Sequence, residues 1–342
     1  IFTRPESKVI INQSGQLIAD NSIFTSEKIN TNCGQTMWQG IEVWGTSTQH
    51  QFTINGICNQ GTCILTNGAT IENAKEGITN WKPDDYNSIG GIIQATDANF
   101  INNWRAVSFM AYYNYNPNNP SQIVNDLSRF EHCNFKTTAN LLNGDTFYTF
   151  VSMWKVKGID FKGCLFENSN PNATTPSQLG SGIITADADF TVDGYCSDPY
   201  VSPCPEAEFT KTNFTHLNYG INAGKVETNN TYAVSNSIFT NCQVGIYNTG
   251  VNNSTITGNQ FIYNSSYSPI TQGNAINFNT GTGYTIEENA FSASTTGITT
   301  IGAWMQNTGG NANQIYRNTV SSYTYGFISA GQNRNSDGTV GL

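Results

Sequence analysis

The sequence predicts an all-β protein, a right-handed parallel β-helix solenoid of about ten coils with loop insertions. Two recurring phrases lead to this prediction. In the first, an apolar residue is followed six positions later by Gly and another apolar residue, at Phe214–Ile221, Phe239–Ile246, Phe291–Ile298 and Val320–Phe327. The second, Ile-x-x-Asn-x-apolar, begins at Ile256, Ile286 and Ile315.

Each unit contains short apolar runs of period two, and helical spacing does not persist in any of them. Leucine-rich and helical repeats are therefore excluded, and coils of about 22–31 residues with three short strands fit best. Stacked coils lie about 4.8 Å apart, so equivalent side chains form ladders. We expect one ladder of Asn259, Asn289 and Asn318, and an internal stack of Phe214, Phe239, Phe261 and Phe291. The repeated Gly suits a corner that needs a positive φ or close approach.

Residues 1–45 are expected to supply an N-terminal cap and the first coils, because an uncapped solenoid exposes unpaired strand edges. Residues 46–342 would form the rest of the same single domain, truncated at its C-terminal end. In Met37–Gly45, alternation places Trp38 and Trp44 on one face with Glu42. The two indoles are either a sugar-stacking platform or edge packing around the first full coil, and we favour edge packing.

Charge and hydropathy exclude two classes of partner. The formal net charge is −9 and the sequence pI is about 4.7, whereas nucleic-acid binding needs clustered Lys and Arg. No apolar run reaches the roughly 20 residues of a transmembrane helix. We therefore expect neither a nucleic-acid partner nor a membrane span.

Insertions rich in Asn, Pro, Ser and Tyr interrupt the coils, and surface loops have this composition. They are Lys82–Ser88, Tyr112–Ser121, Leu141–Val151, Asn168–Leu179, Asp193–Ala207 and Asn264–Gln272. Exposed aromatic residues on neighbouring loops suit contact with a glycan or a cell-surface protein. The candidate contact residues are Tyr112, Tyr113, Tyr115, Tyr148 and Trp154. Packing against the solenoid flank is the alternative for each.

The eight cysteines favour an oxidising compartment, and hence a secreted or cell-surface protein. Short loops separate Cys58 from Cys63 and Cys196 from Cys204, as in local disulfides. Cys133 and Cys164 occupy equivalent positions in neighbouring coils, so they should either bond or touch. Cys33 and Cys242 are left over, with Cys33–Cys58 as a competing pair.

The densest acidic cluster, Asp187, Asp189 and Asp193, supplies candidate calcium ligands. The alternative is that these carboxylates face solvent at a coil corner. No other cofactor is indicated. His50, His132 and His216 are scattered, and no acid–base pair or nucleophile triad converges. We therefore assign no catalytic residue and regard enzymatic activity as the less favoured interpretation.

Met37–Gly45, Leu65–Ile78 and the closing stretch Gly331–Gly341 resemble segments of large secreted β-helix proteins of Bacteroidota. The resemblance covers nearly the whole chain, but its motifs are structural. It implies export by the type IX secretion system, with the outer-membrane translocon and its shuttle as partners. It also implies a C-terminal sorting domain, which this sequence does not contain.

The leading hypothesis is a non-catalytic, adhesin-like binding segment of such a cargo protein. The alternative is a carbohydrate-active enzyme, a polysaccharide lyase or glycoside hydrolase, with its site on the face that carries Asp187 and Asp189. In both hypotheses the function should lie where the repeat is broken, above all at 112–121, 141–154 and 193–207.

Overall fold

Three long parallel sheets form the protein in a computed structural model, which describes residues 1–342 except 3, 27–35, 199, 229, 265–268, 295–296, 336–337 and 339–342. The chain visits the sheets in a fixed cycle, so each turn contributes one strand to each sheet. This is a right-handed parallel β-helix, as predicted, and its sheets of ten or eleven strands match the expected number of coils.

Sheet 1 has eleven strands, which all pair in parallel. They are β1 (Lys8–Ile11), β4 (Trp38–Val43), β7 (Ala74–Thr79), β12 (Arg105–Phe109), β17 (Thr149–Trp154), β20 (Ser181–Ala186), β25 (Tyr219–Gly224), β28 (Val244–Thr249), β31 (Gln272–Asn279), β34 (Thr299–Gln306) and β37 (Tyr325–Ala330).

Sheet 2 has ten parallel strands. They are β2 (Gln16–Asp20), β5 (Thr62–Thr66), β10 (Ile92–Thr96), β15 (Arg129–Glu131), β18 (Lys157–Lys162), β21 (Asp189–Asp193), β26 (Tyr232–Ser235), β29 (Thr255–Thr257), β32 (Thr285–Glu287) and β35 (Gln314–Tyr316).

Sheet 3 also has ten parallel strands. They are β3 (Ile23–Phe24), β6 (Thr70–Glu72), β11 (Asn99–Ile101), β16 (Asn134–Thr137), β19 (Leu165–Asn168), β24 (Thr212–Thr215), β27 (Ser237–Thr240), β30 (Gln260–Tyr263), β33 (Ala290–Ala293) and β36 (Thr319–Ser321).

Three antiparallel hairpins project from the coils: β8 (Trp81–Lys82) with β9 (Asp85–Ile89), β13 (Tyr115–Asn116) with β14 (Asn119–Ile123), and β22 (Tyr195–Cys196) with β23 (Phe209–Thr210). Short 3-10 helices span Pro176–Leu179 and Glu206–Glu208. No helix among the described residues is long and apolar enough to cross a membrane.

The predicted phenylalanine stack is present in sheet 3 and is longer than expected. Adjacent rings from Phe214 to Phe291 lie nearly parallel, with centroids 4.7–5.1 Å apart. The stack continues upstream through Phe166, Phe135 and Phe100 at 4.7 Å. Parallel pairing places the same ladder position of every coil directly above its neighbour, which brings these rings together.

The predicted asparagine ladder is directional, and Asn259 and Asn289 are buried in it. The side-chain oxygen of Asn289 accepts from the backbone N–H (2.9 Å) and the Nδ2 (3.0 Å) of Asn259. Its own Nδ2 donates to the carbonyl of Ile256 and to Oδ1 of Asn318. Each amide therefore satisfies the main chain of the preceding coil, at a corner where the sheet hydrogen bonds are interrupted.

The repeated Gly has two different causes: close approach at Gly220 and Gly245, and a positive φ of +101° with open space around it at Gly297. A Cβ at Gly220 would lie 2.6 Å from the carbonyl oxygen of Gly245 and 2.8 Å from the Phe239 ring. No side chain fits there, because the phenylalanine of the next coil fills the space.

Alternation placed Trp38 on the wrong face of the strand. A register shift between Gly40 and Ile41, with φ +107° at Gly40, turns Trp38 away from the outer face that carries Glu42. The indole is fully buried, stacks on Phe2 at 4.1 Å and donates to the carbonyl of Glu72. Trp38 therefore has the edge-packing role that we favoured, and its partner in the predicted platform, Trp44, does not share its face.

The cysteines separate into one bond and several thiols. Cys196 and Cys204 form the predicted disulfide, with a Cα–Cα distance of 6.0 Å. The predicted Cys58–Cys63 disulfide is wrong, because both are free thiols and Cys63 lies inside strand β5, pointing into the core. Cys33 lies outside the described residues. Cys242 is a buried thiol, and burial raises its pKa to about 12.

Cys133 and Cys164 touch without bonding. They occupy the ladder position that precedes β16 and β19, and the pKa of the Cys133 thiol is raised by burial and by the neighbouring Cys164. Of the two outcomes that the sequence allowed for this pair, the structure has the contact.

Insertions border sheet 1 on both sides. Residues 44–61, 80–91 and 110–128 join sheet 1 to sheet 2 in three successive coils. Residues 138–148 and 169–180 join sheet 3 back to sheet 1 at the end of the third of these coils and of the coil after it. The predicted insertions at 82–88, 112–121, 141–151 and 168–179 fall in these connections, although the third runs into β17. The 44–61 insertion was not predicted.

Replacing Asn289 with Ala should destabilise the protein by at least about 2 kcal/mol, because buried partners in two neighbouring coils lose their hydrogen bonds. The measurement is the urea denaturation midpoint. Asn118→Ala is the control, since that side chain is exposed and has no role in the ladder. Equal midpoints for the two variants would contradict the ladder's contribution to stability.

Candidate functional site

The outer face of sheet 1 carries a groove near the N-terminal end of the solenoid. It consists of two adjoining cavities of about 220 and 230 Å³, both lined by Trp81 and Arg105. The first is also lined by Gln39, Ile41, Glu42, Lys75, Glu76, Thr79 and Pro83. The second is also lined by Ser108, Phe109, Met110, Ser152, Met153, Trp154, Ile184, Thr185 and Ala186. We call these residues the sheet 1 groove.

Arg105 lies at the centre of the groove and is held by two neighbouring strands. Its Nε and Nη2 donate to the two carboxylate oxygens of Glu76 on β7, at 2.6 and 2.5 Å. Its Nη1 donates to Oγ of Ser152 on β17 at 3.1 Å. A bidentate pair of this kind fixes the guanidinium plane. Parallel register explains the geometry, because Glu76 and Arg105 are direct ladder partners.

A second paired carboxylate lies one coil toward the N-terminus. Glu42 accepts from Nζ of Lys8 at 2.8 Å and from the indole Nε1 of Trp44 at 2.9 Å. The Lys82 ammonium lies 4.9 Å from the centroid of the same indole. Glu42 is buried, so these two donors compensate for the loss of water around its carboxylate.

Two tryptophans give the groove its apolar surface. Trp81 begins the hairpin insertion after β7 and stacks on Tyr86 at 6.3 Å. Trp154 ends β17, is 40% exposed, and has the Lys155 ammonium 5.4 Å from its ring centroid. The Nε1–H of Trp81 is buried without an acceptor among the described residues. The groove thus combines indole faces with fixed hydrogen-bonding groups.

A buried polar network supports the wall of insertions beside the groove. Gln51 donates to Asp126 at 2.9 Å, and its backbone N–H donates to the side-chain oxygen of Asn114 at 3.0 Å. The Tyr112 hydroxyl donates to the carbonyl of Gln49 at 2.6 Å. These bonds join the 44–61 insertion to the 110–128 insertion, which comes from a coil two turns later. The network therefore fixes these two insertions relative to each other.

The five predicted contact residues differ in their exposure and contacts. Tyr112 is buried by the polar network, so the predicted ligand contact at Tyr112 is wrong. Tyr115 is half-buried and donates to the carbonyl of Thr48, while Tyr113 is exposed. Tyr148 is exposed and stacks on Trp104 at 5.1 Å. Among the five, Trp154 lines the groove. The contact roles of Tyr113, Tyr115, Tyr148 and Trp154 stay predictions.

The three predicted calcium ligands each bind a main-chain or amide donor. Asp187 has φ +55°, so it is a corner residue and not a strand neighbour of Asp189 as we expected. Burial would raise its pKa, but N–H groups of Val226, Glu227 and Thr228 and the charge of Lys155 lower the pKa below its usual value.

Asp189 accepts from the N–H of Thr231, and Asp193 accepts from the N–H of Gly194 and from Asn236. Within the described part of the chain, no group of three or more His, Cys, Asp and Glu side chains could hold a metal ion. Calcium at these residues stays a prediction without geometric support.

Comparison with known proteins identifies a family. Residues 140–336, more than half of the chain, match the family described as periplasmic copper-binding protein (NosD). The chain belongs to the NosD family. No curated protein matches the sequence.

Several solved structures match this NosD-family chain at low identity. The periplasmic alginate epimerase AlgG is 9% identical, with 95% of this chain and 77% of that chain covered and a TM-score of 0.32. The DFA-IIIase of Arthrobacter chlorophenolicus is 11% identical, with 98% and 78% covered and a TM-score of 0.28.

The A-module of the Azotobacter vinelandii mannuronan C-5 epimerase AlgE4 is 11% identical, with 96% and 91% covered and a TM-score of 0.23. Similarity at this level carries no information about activity, because one fold supports many unrelated functions.

Among the described residues, no group of three or more His, Cys, Asp and Glu side chains converges to hold the copper that the family description names. Copper sites in proteins use converging imidazole, thiolate or thioether ligands. His132 is hydrogen-bonded to Asp97 at 2.6 Å, whereas His216 adjoins Asn241 in another part of the solenoid. The buried Cys63 thiol has its pKa raised to about 12 by desolvation, which disfavours the thiolate that a metal needs.

The groove residues Glu42, Glu76, Trp81 and Arg105 were not predicted as a site. Trp81 falls outside both recurring phrases. Glu76 and Arg105, by contrast, hold the same position in two weaker copies of the first phrase, Ile71–Ile78 and Phe100–Val107, the second with Ala in place of Gly. The available signal was the outward strand position of each residue. It becomes informative only when the coils are aligned, since sequence separations between successive coils vary with the insertions.

Asp126 should make stability pH-dependent. Burial raises the pKa of its carboxyl to about 6. The native state therefore binds this proton more tightly than the unfolded chain does. The resulting stabilisation is fully present below about pH 4, and about 3 kcal/mol is lost as the pH rises through about 6. Asp126→Asn should remove this part of the slope. The measurement compares urea midpoints of both proteins across that interval, and identical slopes would contradict it.

Proposed function

We propose that this protein is an extracytoplasmic β-helix that binds polysaccharide in the sheet 1 groove, in an adhesin-like, non-catalytic role. The observation that carries the proposal is the arrangement of Trp81 and Trp154 beside Arg105 along one sheet face. Indole faces stack on the apolar faces of sugar rings, and fixed polar groups bind their hydroxyls. A long, open strip suits an extended polymer.

The location is supported by two observations. The family description names periplasmic proteins, and Cys196 and Cys204 form a disulfide, which persists in oxidising compartments. For the full-length protein we propose export through the type IX translocon and its shuttle, on the resemblance of Met37–Gly45 and Leu65–Ile78 to secreted Bacteroidota proteins. Fractionation of cells with and without the translocon tests this route, and unchanged export in its absence would contradict it.

Trp154→Ala should weaken polysaccharide binding at least about tenfold, because an exposed stacking surface at the groove is removed. Affinity electrophoresis against a panel of neutral and carboxylated polysaccharides measures the change. Tyr200→Ala is the matched control, since Tyr200 is 95% exposed on the loop between sheets 2 and 3.

Two results would count against the groove as the binding surface. One is the same loss of affinity in both variants. The other is a panel that the wild-type protein does not bind at all.

A second candidate function is glycoside hydrolysis, favoured by a cavity of about 310 Å³ on the outer face of sheet 2. Asp160 and Asp189 both line it, together with Lys157. Asp160 accepts from the Thr191 hydroxyl at 2.5 Å and Asp189 from the N–H of Thr231 at 2.6 Å. Hydrolases use two carboxyl groups across the scissile bond.

A reducing-end assay over the same polysaccharide panel separates the two functions. We expect no turnover. If turnover occurs, disappears in both Asp160→Asn and Asp189→Asn, and is unaffected in Asp84→Asn, the function is hydrolysis and not binding alone. Asp84 is an exposed loop residue, so its substitution controls for the loss of a carboxylate.

A further inference from the structure

We propose that the sheet 1 groove selects neutral, hydroxyl-rich polysaccharides and discriminates against polyanionic ones. This inference rests on the proposed function and concerns the chemistry of its ligand. It follows from the ion pairs that the charged side chains of the groove form within the protein.

The charges of the groove are paired internally. Glu76 with Arg105 and Glu42 with Lys8 are salt bridges across neighbouring strands. At the rim, Lys82 pairs with Asp85 at 3.4 Å and Lys155 with Glu227 at 2.5 Å. An anionic ligand would have to compete with a fixed carboxylate for each of these cations, and a net gain from such an exchange is small.

Arg105 shows the consequence for ligand binding most clearly. Glu76 occupies both Nε and Nη2 of Arg105, and these two nitrogens would otherwise bind a ligand carboxylate in a bidentate pair. A guanidinium has five N–H donors, so donors remain for single hydrogen bonds. Hydroxyl groups can accept such bonds without bringing a charge, and they can also donate to Glu76.

Lys75 is the lining cation without a carboxylate in salt-bridge range in the described part of the chain. One exposed ammonium does not offset the field of the whole chain, whose formal net charge is −9. Long-range repulsion therefore also opposes a polyanion, most strongly at low ionic strength.

The uncharged part of the groove has the complementary properties. Trp81 and Trp154 present indoles, and Thr79, Ser108 and Ser152 lie on the ladder row between them. The buried Nε1–H of Trp81 lacks an acceptor among the described residues. A hydroxyl-rich chain can stack on these indoles without displacing any ion pair.

Hydroxyethyl cellulose and carboxymethyl cellulose are suitable probes because they share a backbone and differ in charge. Affinity electrophoresis at low and high salt should show that the wild-type protein binds the neutral polymer at least about tenfold more tightly. Binding of the neutral polymer should change less than about twofold with salt, since no net charge is neutralised.

Glu76→Gln provides a directional test. It leaves the Arg105 guanidinium without its carboxylate, so binding of carboxymethyl cellulose should rise at least about threefold at low salt and fall back at high salt. Glu208→Gln changes the net charge equally on an exposed 3-10 helix far along the chain, and should leave both affinities unchanged. Thermal midpoints of all variants check that each is folded.

Tighter, salt-sensitive binding of carboxymethyl cellulose by the wild-type protein would overturn the inference while leaving polysaccharide binding intact. An equal gain in Glu208→Gln would also overturn it, because the effect would then come from net charge and not from the groove. Binding of neither polymer would overturn the proposed function itself.

Discussion

Parallel stacking of one coil on the next is the constraint on which the rest of this structure depends. It repeats each ladder position about every 4.8 Å, so every interior column must hold groups that pack on copies of themselves. Phenylalanines do so as offset parallel rings, and Asn289 does so by bonding the coils on either side of it. Gly220 in β25 follows from the same constraint, because it must leave room for the ring of Phe239.

The same constraint leaves the outer faces and the corners free to vary. Residues 44–61, 80–91 and 110–128 extend corners that follow sheet 1 strands, and residues 138–148 and 169–180 extend corners that precede them. The insertions are not loosely attached, since Gln51, Tyr112 and Asp126 bind them together through buried hydrogen bonds. A rigid frame of this kind lets a repetitive sheet present a defined groove, and pre-organisation of the groove lowers the entropic cost of binding.

Much of the fold could be read from the sequence, because the Phe and Asn ladders need no long-range information beyond the repeat itself. The groove was harder to find: aligning Ile71–Ile78 with Phe100–Val107 pairs Glu76 with Arg105, but Trp81 and Trp154 lie outside the repeated phrases. Trp38 was misplaced because a bulge at Gly40 reverses simple alternation. Tyr112 was misread because an aromatic residue in an insertion looks exposed until the neighbouring insertion covers it. Cys63 was paired by proximity in sequence, whereas its strand directs it into the core.

Hydrogen–deuterium exchange with and without hydroxyethyl cellulose tests the central claim most directly, because it reports where the polymer lies on a solenoid whose faces are all known. The account predicts that added protection is concentrated in residues 74–83, 105–110 and 152–156, which line or adjoin the sheet 1 groove. Protection centred instead on residues 157–160 and 189–191 of sheet 2 would contradict it, as would bound polymer that protects no part of sheet 1.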